Sequence, residues 1–297
     1  MILSRFVRQS LLMLCLSIIV ACANITIASE YEPIVGQDGK DVIWVPTCQP
    51  LVDKMLDMAK VTPQDYVIDL GSGDGRLVIT AAKHGARALG IEYNPDMVAL
   101  SNRNAAKEGV TDKVQFIQGD IFESDFSQAT VITMFLLDTI NLKLRPQILN
   151  LKPGTRVVSN SFTMKEWTAD ETFTVDAKEC SFSTGYFWIV PAKVEGTWTL
   201  PQGELTLNQS FQMFSGTLHS GANALPVTNG KLSGDLINFN VGNVKYTGRV
   251  SGNTMEGTFE SGGITTKWTA TRIQKAFRAP SEKQDILGLL IQAKVTT

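Results

Sequence analysis

Apolar and polar positions alternate with two different periods between residues 66 and 162. Short runs rich in Val, Ile and Leu predict buried strands at residues 66–70, 88–93, 114–117, 129–137 and 155–161. Stretches with helical spacing lie between them, at residues 77–84, 94–108 and around 141–149. This alternation predicts right-handed βαβ units and a parallel sheet with helices on both faces. Two more strands, near residues 172–175 and 186–190, are predicted to close the sheet as a hairpin.

The pattern changes after Pro191, where short β-rich segments follow one another without a helical stretch. They lie at residues 196–200, 205–214, 231–239, 245–250, 254–260 and 266–271. Turn signals separate them, such as Asn-Gly at 229–230 and glycine-containing turns at 251–253 and 261–263. The pattern predicts a small antiparallel barrel or sandwich of about six strands. The chain of 297 residues therefore divides into an α/β domain (29–192), a β-rich domain (193–273) and a tail (274–297), preceded by a leader (1–28).

The leader has the pattern of a secretory signal. Arg5 and Arg8 precede an apolar run over residues 11–23, and the next charged residue is Glu30. The charge bias favours a periplasmic or membrane-attached location, with the cytoplasmic side as the alternative. Three interpretations of its processing stay open: a bacterial lipobox ending at Cys22, cleavage after Ala28, or an uncleaved membrane anchor.

Composition narrows the classes of partner and cofactor. The formal net charge of −2 gives no basic surface, which argues against nucleic acid as a partner. Two histidines and scattered cysteines show no metal-ligand spacing, which argues against a zinc site. Beyond the leader, Cys48 and Cys180 remain. An oxidising compartment would permit a disulfide between them, and two unpaired small apolar residues are the equal alternative.

A glycine-rich loop, residues 71–75, follows the first predicted strand and opens the first predicted helix. Glycines let a ligand approach the backbone closely, and a helix N-terminus offers free N–H groups. Open parallel sheets bind ligands in this position, at the carboxyl ends of their strands. The loop lacks the Gly-Lys-Ser/Thr ending of a P-loop, and Arg76 stands where a dinucleotide fingerprint has its third glycine. Both of these ligand classes are therefore disfavoured.

The segment from Asp69 to Gly75 resembles motif I of the class I S-adenosylmethionine-dependent methyltransferases, which have a Rossmann-like sheet. Two further motifs of that family follow in order: Glu92 ends the second strand, and Gly119-Asp120-Ile121 follows the third. The resemblance implies that Glu92 binds the ribose hydroxyls and that Asp120 receives the adenine amino group. The implied cofactor-binding residues are Asp69, Gly71, Ser72, Gly73, Gly75, Glu92, Tyr93, Asp120 and Ile121.

A closer similarity covers about residues 42–167 and leaves out the β-rich domain. The segments at 66–78, 90–95, 130–136 and 153–159 are similar to a family of protein lysine methyltransferases, most of all to its bacterial, signal-bearing branch. Mitochondrial members of this family modify the adenine nucleotide translocase and the c subunit of ATP synthase. Residues 45–47 and a helix at 51–59 also fit, as a segment that folds over the cofactor. The similarity implies S-adenosylmethionine as cofactor and a protein lysine as methyl acceptor.

A lysine amine must be neutral to attack a methyl group, and its free pKa is about 10.4, so burial or a nearby base must favour the neutral form. Phe135 and Asp138 are candidates for lining a lysine channel, together with Phe162 and Trp167. The alternatives are core packing for the aromatic residues and a helix cap for Asp138, which stands where the family tends to carry Pro or an apolar residue. No catalytic residue is assigned, because an in-line methyl transfer mainly needs positioning and exclusion of water.

Two other functions would share the cofactor motif. One is a small-molecule methyltransferase whose β-rich domain helps to define the acceptor. The other is an exported protein that binds S-adenosylmethionine without turnover. Export raises a question of supply, because S-adenosylmethionine is made in the cytoplasm. An exported enzyme would need cofactor delivered to its compartment, or would act before or without translocation.

Overall fold

The structure is a computed structural model that describes residues 30–176, 178 and 180–273, so the predicted leader and tail lie outside the described residues. Its first part contains helices α1 (Gln49–Met58), α2 (Arg76–Lys83), α3 (Pro95–Lys107) and α4 (Asp138–Ile148), and strands β1 (Tyr66–Leu70), β2 (Arg87–Glu92), β3 (Val114–Gln118), β4 (Val131–Met134), β5 (Arg156–Asn160), β6 (Glu171–Thr174) and β7 (Thr184–Ile189). Within the described ranges, no helix combines the length and the hydropathy that a membrane crossing requires.

Helix α3 shows how closely local signals set these boundaries. The Asn94 side chain accepts the N–H of Asp96 at 2.9 Å, and Pro95 occupies the first helical position. Asp96 lies in the first turn, where the helix dipole favours a negative charge. Gly109 follows the C-cap with a φ of 68°, a conformation that glycine adopts without strain.

The seven strands form one mixed sheet in the order β3-β2-β1-β4-β5-β7-β6. Strands β1 to β5 pair in parallel, and β7 is antiparallel to both β5 and β6. The chain leaves β1 towards β2 on one side and later returns to β4 on the other side. The strand order therefore reverses at β1, where diverging loops open a crevice at the carboxyl ends of the strands. The predictions of a parallel α/β sheet and of a closing hairpin are confirmed.

Each face of the sheet carries its own apolar layer. Successive residues of β1 alternate between the layers: Val67 packs with α1 and α2, whereas Ile68 packs with α4. The α4 layer contains Trp167 and Trp188, which are both fully buried. Trp188 Nε1 donates to the Trp167 carbonyl at 2.8 Å, so this buried indole N–H has a partner. The two layers hold β1 and β4 rigidly at the centre of the sheet.

The β-rich part is a closed barrel of eight antiparallel strands. The strands are β8 (Gly196–Leu200), β9 (Gly203–Ser210), β10 (Met213–Ser220), β11 (Asn223–Ser233), β12 (Leu236–Val241), β13 (Val244–Ser251), β14 (Thr254–Ser261) and β15 (Ile264–Arg272). The prediction of about six strands is wrong, because segments 205–214 and 231–239 each contain a tight turn. Phe211 and Gly234 take positive φ values of 55° and 62° at these turns. Large side chains such as Trp198, Phe239 and Trp268 fill the interior.

The Asn229-Gly230 pair lies inside β11, so the prediction of a hairpin turn there is wrong. The pairing of β11 shifts register between Thr228 and Lys231, and Asn229 takes a φ of 53°, which marks a β-bulge. A Cβ atom on Gly230 would lie 2.2 Å from the Phe214 carbonyl oxygen of β10. Glycine is therefore required for close strand approach, and the bulge bends a long strand around the barrel.

The barrel packs directly against the α/β part. The Phe211 ring stacks on Trp167 with 6.1 Å between ring centroids, and Gln212 Nε2 donates to the Thr168 carbonyl at 2.8 Å. The backbone N–H of Ala192 donates to the Gly234 carbonyl at 2.8 Å. Trp167, a candidate for the acceptor channel, is thus a core residue beneath the barrel.

A disulfide joins Cys48 to Cys180, with 5.4 Å between their Cα atoms. Of the two alternatives for these cysteines, the structure has the paired one. Cys48 is the N-cap of α1, and Cys180 lies in the connection between β6 and β7. The bond therefore ties the hairpin at one edge of the sheet to the segment that leads into α1.

Candidate cofactor and acceptor site

A cavity of about 470 Å³ opens at the switch point of the sheet, beyond the carboxyl ends of β1, β2 and β4. Its volume suits a small-molecule cofactor. Several segments of the sheet edge line it: the glycine loop after β1, the end of β2, the residues after β3, β4 and β5, and the connection between β6 and β7. Residues 37–47, here called the strap, line it from the other side before the chain enters α1.

The glycine loop takes left-handed backbone conformations at Gly71, Gly73 and Gly75, with φ values of 78°, 55° and 83°. Gly73 faces the cavity, and a Cβ atom there would lie 2.9 Å from Nε1 of Trp44 in the strap. Gly75 is the N-cap of α2, and a Cβ atom on it would lie 2.8 Å from the Phe116 ring. Gly75 therefore lets the loop pack against β3, and Gly73 lets Trp44 of the strap approach the loop at the edge of the cavity.

The Glu92 carboxylate connects the glycine loop to the start of α3. Its Oε2 atom accepts the N–H of Gly73 at 2.9 Å, and its Oε1 atom accepts the N–H of Asn94 at 3.0 Å. Each carboxylate oxygen has a second lone pair. Glu92 can therefore hold the loop in place and still accept hydrogen bonds from hydroxyl groups in the cavity.

Asp69 is 2% exposed and has one hydrogen-bond donor among the described side chains, the Thr133 hydroxyl at 2.7 Å. The pKa of Asp69 is raised from its ordinary value of 3.8 to about 7. Burial is the main cause, the hydrogen bond from Thr133 opposes it, and the nearby charges of Glu92 and Asp74 add to it. Beside it, the buried Ser72 hydroxyl has no hydrogen-bond partner among the described residues. A cationic ligand in this part of the cavity would stabilise the ionised form of Asp69.

The strap closes over the acidic part of the cavity. Lys40 forms an ion pair with Asp120, and its Nζ atom lies 4.9 Å from the centre of the Tyr93 ring. Hydrogen bonds from Lys40 and from the N–H of Phe122 hold the pKa of Asp120 below its usual value. The strap thus contacts two of the residues that the resemblance assigns to the cofactor.

The opposite part of the cavity is apolar. Phe135, Phe162 and Phe182 pack against one another, with ring centroids 5.2 to 6.5 Å apart. The other side chains that the β4–α4 segment contributes to the cavity are Leu136, Leu137 and Ile140, so this segment adds no charge. We call the three phenylalanines the aromatic wall.

The structure brings nearly all of the predicted cofactor residues together. Those that line the cavity are Asp69, Gly71, Ser72, Gly73, Glu92, Tyr93, Asp120 and Ile121. Gly75 shapes the loop from behind. Of the four acceptor candidates, Phe135 and Phe162 line the cavity, whereas Asp138 and Trp167 do not.

Asp138 connects α4 to the loop after β5. Its carboxylate accepts the N–H of Thr163 at 2.6 Å and pairs with Lys165. Burial opposes ionisation of Asp138, but the hydrogen bonds from Lys165 and Thr163 outweigh it and hold its pKa below the ordinary value. Leu137 occupies the N-cap position of α4, so the alternative role of Asp138 as that cap is wrong.

Several residues that line the cavity are not among the predicted site residues, and Lys40, Trp44 and Phe182 are three of them. Trp44 directly precedes the Val-Pro-Thr segment that the similarity places over the cofactor, and that position was the available signal for it. Lys40 and Phe182 lie in segments without periodicity, far along the chain from their partners, so the sequence offered no signal for either.

Comparison with known proteins agrees with this geometry. The family model described as the ANTKMT methyltransferase domain matches residues 69–171. A protein-lysine N-methyltransferase from Saccharolobus islandicus (strain REY15A) is 45% identical over 138 residues, which are 46% of this chain and 86% of that relative. The chain belongs to the protein-lysine N-methyltransferase family.

Two further proteins are similar to this methyltransferase. A lysine N-methyltransferase of Rattus norvegicus, named for the c subunit of ATP synthase, is 30% identical over 157 residues, covering 52% of this chain and 72% of the rat protein. Among solved structures, an RNA methyltransferase from Salinibacter ruber in complex with S-adenosyl-L-homocysteine is 50% identical. It covers 50% of this chain and 96% of its own, with a TM-score of 0.47.

The cofactor of the methyltransferase is S-adenosylmethionine, and the cavity residues fit it. The molecule carries a positive sulfonium and an ammonium group, which suit the buried and under-paired carboxylate of Asp69. Glu92 would hold the ribose hydroxyls, and Asp120 the adenine amino group. The unpartnered Ser72 hydroxyl offers a further polar contact.

Replacing Asp69 with asparagine is expected to stabilise the cofactor-free methyltransferase and to weaken its cofactor binding. The folded protein keeps a proton on Asp69 that the unfolded chain has lost between pH 3.8 and about 7. The free energy of unfolding therefore falls as the pH rises through this interval. Above about pH 7, Asp69 lowers the free energy of unfolding no further. At pH 8 the variant, which has no charge to bury, should be more stable by at least about 1 kcal/mol. Its affinity for S-adenosylhomocysteine should fall about tenfold, because a charge-assisted contact is lost.

Asp65→Asn is the matched control for this variant. Asp65 is also buried, but it lies before β1, and hydrogen bonds from Thr130, Thr62 and Arg156 outweigh the effect of its burial and lower its pKa. The same change there should destabilise the protein at pH 8 and leave cofactor affinity unchanged. Calorimetry and thermal unfolding between pH 4 and 8 measure both effects. Equal loss of stability in the two variants would contradict the charge assignment at Asp69.

Proposed function

We propose that this methyltransferase modifies the ε-amine of a lysine side chain in a protein substrate. The observation that carries the proposal is the junction, within one cavity, of an acidic cofactor half and an uncharged aromatic wall. Its sequence relation to the Saccharolobus protein-lysine N-methyltransferase supports the same acceptor.

The aromatic wall gives the amine the environment that the reaction needs. A lysine in water is protonated, with a pKa of about 10.4, and its ammonium has no lone pair to donate. Burial of the amine among Phe135, Leu137 and Phe162 disfavours the charged form and lowers the pKa. The proton leaves to solvent as the side chain enters, so that the neutral amine reaches the cavity without a dedicated base.

The remaining task of the chain is alignment. When bound, S-adenosylmethionine would supply a methyl group on a positively charged sulfur, whose carbon a neutral amine can attack in line while the sulfur leaves as the uncharged thioether. Leu136 contacts the glycine loop, since a Cβ atom on Gly71 would lie 3.2 Å from its Cδ2. The β4–α4 segment therefore places the aromatic wall directly beside the cofactor loop. The packed wall and the strap together exclude water from the line of attack.

A labelling experiment tests the acceptor. The purified full chain is incubated with methyl-labelled S-adenosylmethionine and, separately, with membrane and soluble fractions of its source organism. We expect a labelled protein band whose mark maps to lysine by mass spectrometry. A Gly73→Val variant serves as the inactive control, so that labelling by other enzymes in the fractions is subtracted.

The other outcomes separate the alternatives. Label found only in the small-molecule fraction would contradict a protein acceptor and establish a small-molecule methyltransferase. Binding of S-adenosylhomocysteine without transfer to either fraction would contradict turnover. Label on a residue other than lysine would keep the enzyme class and overturn the acceptor.

We further propose that the chain acts outside the cytoplasm. The positive and apolar pattern of the leader supports export. The Cys48–Cys180 disulfide supports it independently, because disulfides persist in oxidising compartments and are rare in the cytosol.

Mass analysis of the chain isolated from its source organism tests this location. Free thiols are alkylated before lysis, so that the redox state of Cys48 and Cys180 in the cell is recorded. We expect a chain without its leader and with these two cysteines unalkylated. An intact leader together with alkylated cysteines would contradict export. Loss of membrane association in a Cys22→Ser variant would show that the leader contains a lipobox. Cleavage after Ala28 would exclude the lipobox.

A further inference from the structure

Phe182 differs from the other two rings of the aromatic wall in its origin and its exposure. It comes from the connection between β6 and β7, whereas Phe135 follows β4 and Phe162 follows β5. Its ring packs edge-on against Phe135, with 5.2 Å between centroids, and lies 6.5 Å from the ring of Phe162. It nevertheless remains 38% exposed. Phe135 and Phe162 are half-buried, so Phe182 is the ring of the wall that is most accessible from solvent.

The Cys48–Cys180 disulfide fixes the position of this ring relative to the cavity. Cys180 lies two residues before Phe182, and Cys48 directly follows Thr47 at the end of the strap. Thr47 is itself held firmly: its carbonyl accepts Arg76 Nη1 at 2.6 Å, and its hydroxyl accepts Asn160 Nδ2 at 3.1 Å. The disulfide thus attaches the β6–β7 connection to a rigid point on the cavity rim.

We propose that Phe182 is an acceptor-contact residue and that the Cys48–Cys180 disulfide is its positioning element. The inference rests on the proposed lysine acceptor. An exposed aromatic face attracts an ammonium group, and its hydrocarbon surface packs against the methylene stem of a lysine. Phe182 receives the protonated side chain at the rim, and Phe135 and Phe162 surround the amine as it loses its proton deeper in the cavity. Phe182 thereby sets the affinity for the acceptor and leaves the cofactor half untouched.

The first experiment compares Phe182→Ala and Phe182→Tyr in the full chain. The probe is the total protein extract of the source organism, titrated against each variant with methyl-labelled S-adenosylmethionine in excess. We expect Phe182→Ala to raise the half-saturating concentration of extract about fivefold, because an exposed cation–ring contact is lost. The rate at saturation and the affinity for S-adenosylhomocysteine should stay within about twofold of wild type, since the cofactor contacts are intact. Phe182→Tyr should restore wild-type behaviour because it keeps the ring.

Ile264→Ala is the matched control, since Ile264 is an exposed apolar residue of the barrel and does not line the cavity. It should behave as wild type. If the wild-type enzyme labels lysine and Phe182→Ala leaves the half-saturating concentration unchanged, the inference is overturned and the proposed function stands. If wild type binds S-adenosylhomocysteine but labels no lysine, both the inference and the proposed function are overturned. A loss of cofactor affinity in Phe182→Ala would contradict the inference, because it would show that Phe182 contacts the cofactor and not the acceptor.

The second experiment isolates the disulfide. A Cys48→Ser/Cys180→Ser double variant should show the same rise in half-saturating concentration as Phe182→Ala, and combining the changes should add little. Dithiothreitol should reproduce this effect in wild type and have none on the double variant, which controls for the cysteines of the leader. If Phe182→Ala has the expected effect and the double variant, still folded by thermal unfolding, does not, the positioning role of the disulfide is wrong.

Discussion

Replacing Gly73 with valine is expected to abolish binding of S-adenosylhomocysteine to a protein that still folds. Gly73 holds a φ of 55°, and a Cβ atom there would lie 2.9 and 3.3 Å from Nε1 and Cδ1 of Trp44. A valine side chain would displace Trp44 and extend into the cavity that Gly73 and Trp44 both line. It would also disturb the N–H of Gly73, which donates to Glu92. We expect an affinity loss of more than about a hundredfold, since the added atoms and the cofactor compete for one volume.

The strain of the substitution must be separated from this steric exclusion. Gly109→Val is the matched control, because Gly109 also has a positive φ, 68°, and an added Cβ atom there would meet nothing within 4 Å. Both variants should lose about 1–3 kcal/mol of stability from backbone strain. Only Gly73→Val should lose cofactor binding in calorimetry. Normal affinity in a correctly folded Gly73→Val protein would refute the assignment of the glycine loop.

Replacing Glu92 with alanine is expected to weaken cofactor binding about a hundredfold, which corresponds to about 2.7 kcal/mol. Two effects add. The carboxylate that would accept the ribose hydroxyls is removed, and the N–H groups of Gly73 and Asn94 lose their common acceptor. The second effect loosens the glycine loop in the free protein. Binding must then order the loop again, which lowers the affinity.

Glu92→Gln separates these two contributions. The amide keeps one acceptor oxygen for the loop and loses the negative charge, so its affinity should lie between wild type and alanine. Glu108→Ala is the control for removing a surface carboxylate, because Glu108 pairs with Lys83 on the exposed side of α2 and α3. It should bind as wild type does. Equal affinities of wild type and Glu92→Ala would show that the acid at the end of β2 does not face the cofactor.

Much of the α/β part follows from local signals. Continuous apolar runs and helical spacing placed five parallel strands and the closing hairpin, and Asn94, Pro95 and Gly109 marked the ends of α3. Such signals act between near neighbours in the chain, so the sequence contains them directly. The barrel was predicted less well. Its turns at Phe211 and Gly234 and its bulge at Asn229 depend on how neighbouring strands pair, and the Asn-Gly pair suits either a turn or a bulge.

The sequence by itself determined the cofactor half of the site. Motifs at the ends of successive parallel strands must meet at one edge of the sheet, so the order of Asp69, Glu92 and Asp120 along the chain was enough to bring them together. The similarity placed residues 45–47 over the cofactor, but only the tertiary structure decided which contacts close the cavity. Lys40 meets Asp120 across 80 residues of chain, and Cys48 meets Cys180 across 132. Contacts of this kind depend on the packing of whole elements, and no local period encodes them. For the same reason, local sequence signals predicted neither the ion pair of Asp138 with Lys165 nor the packing of Phe182 in the aromatic wall.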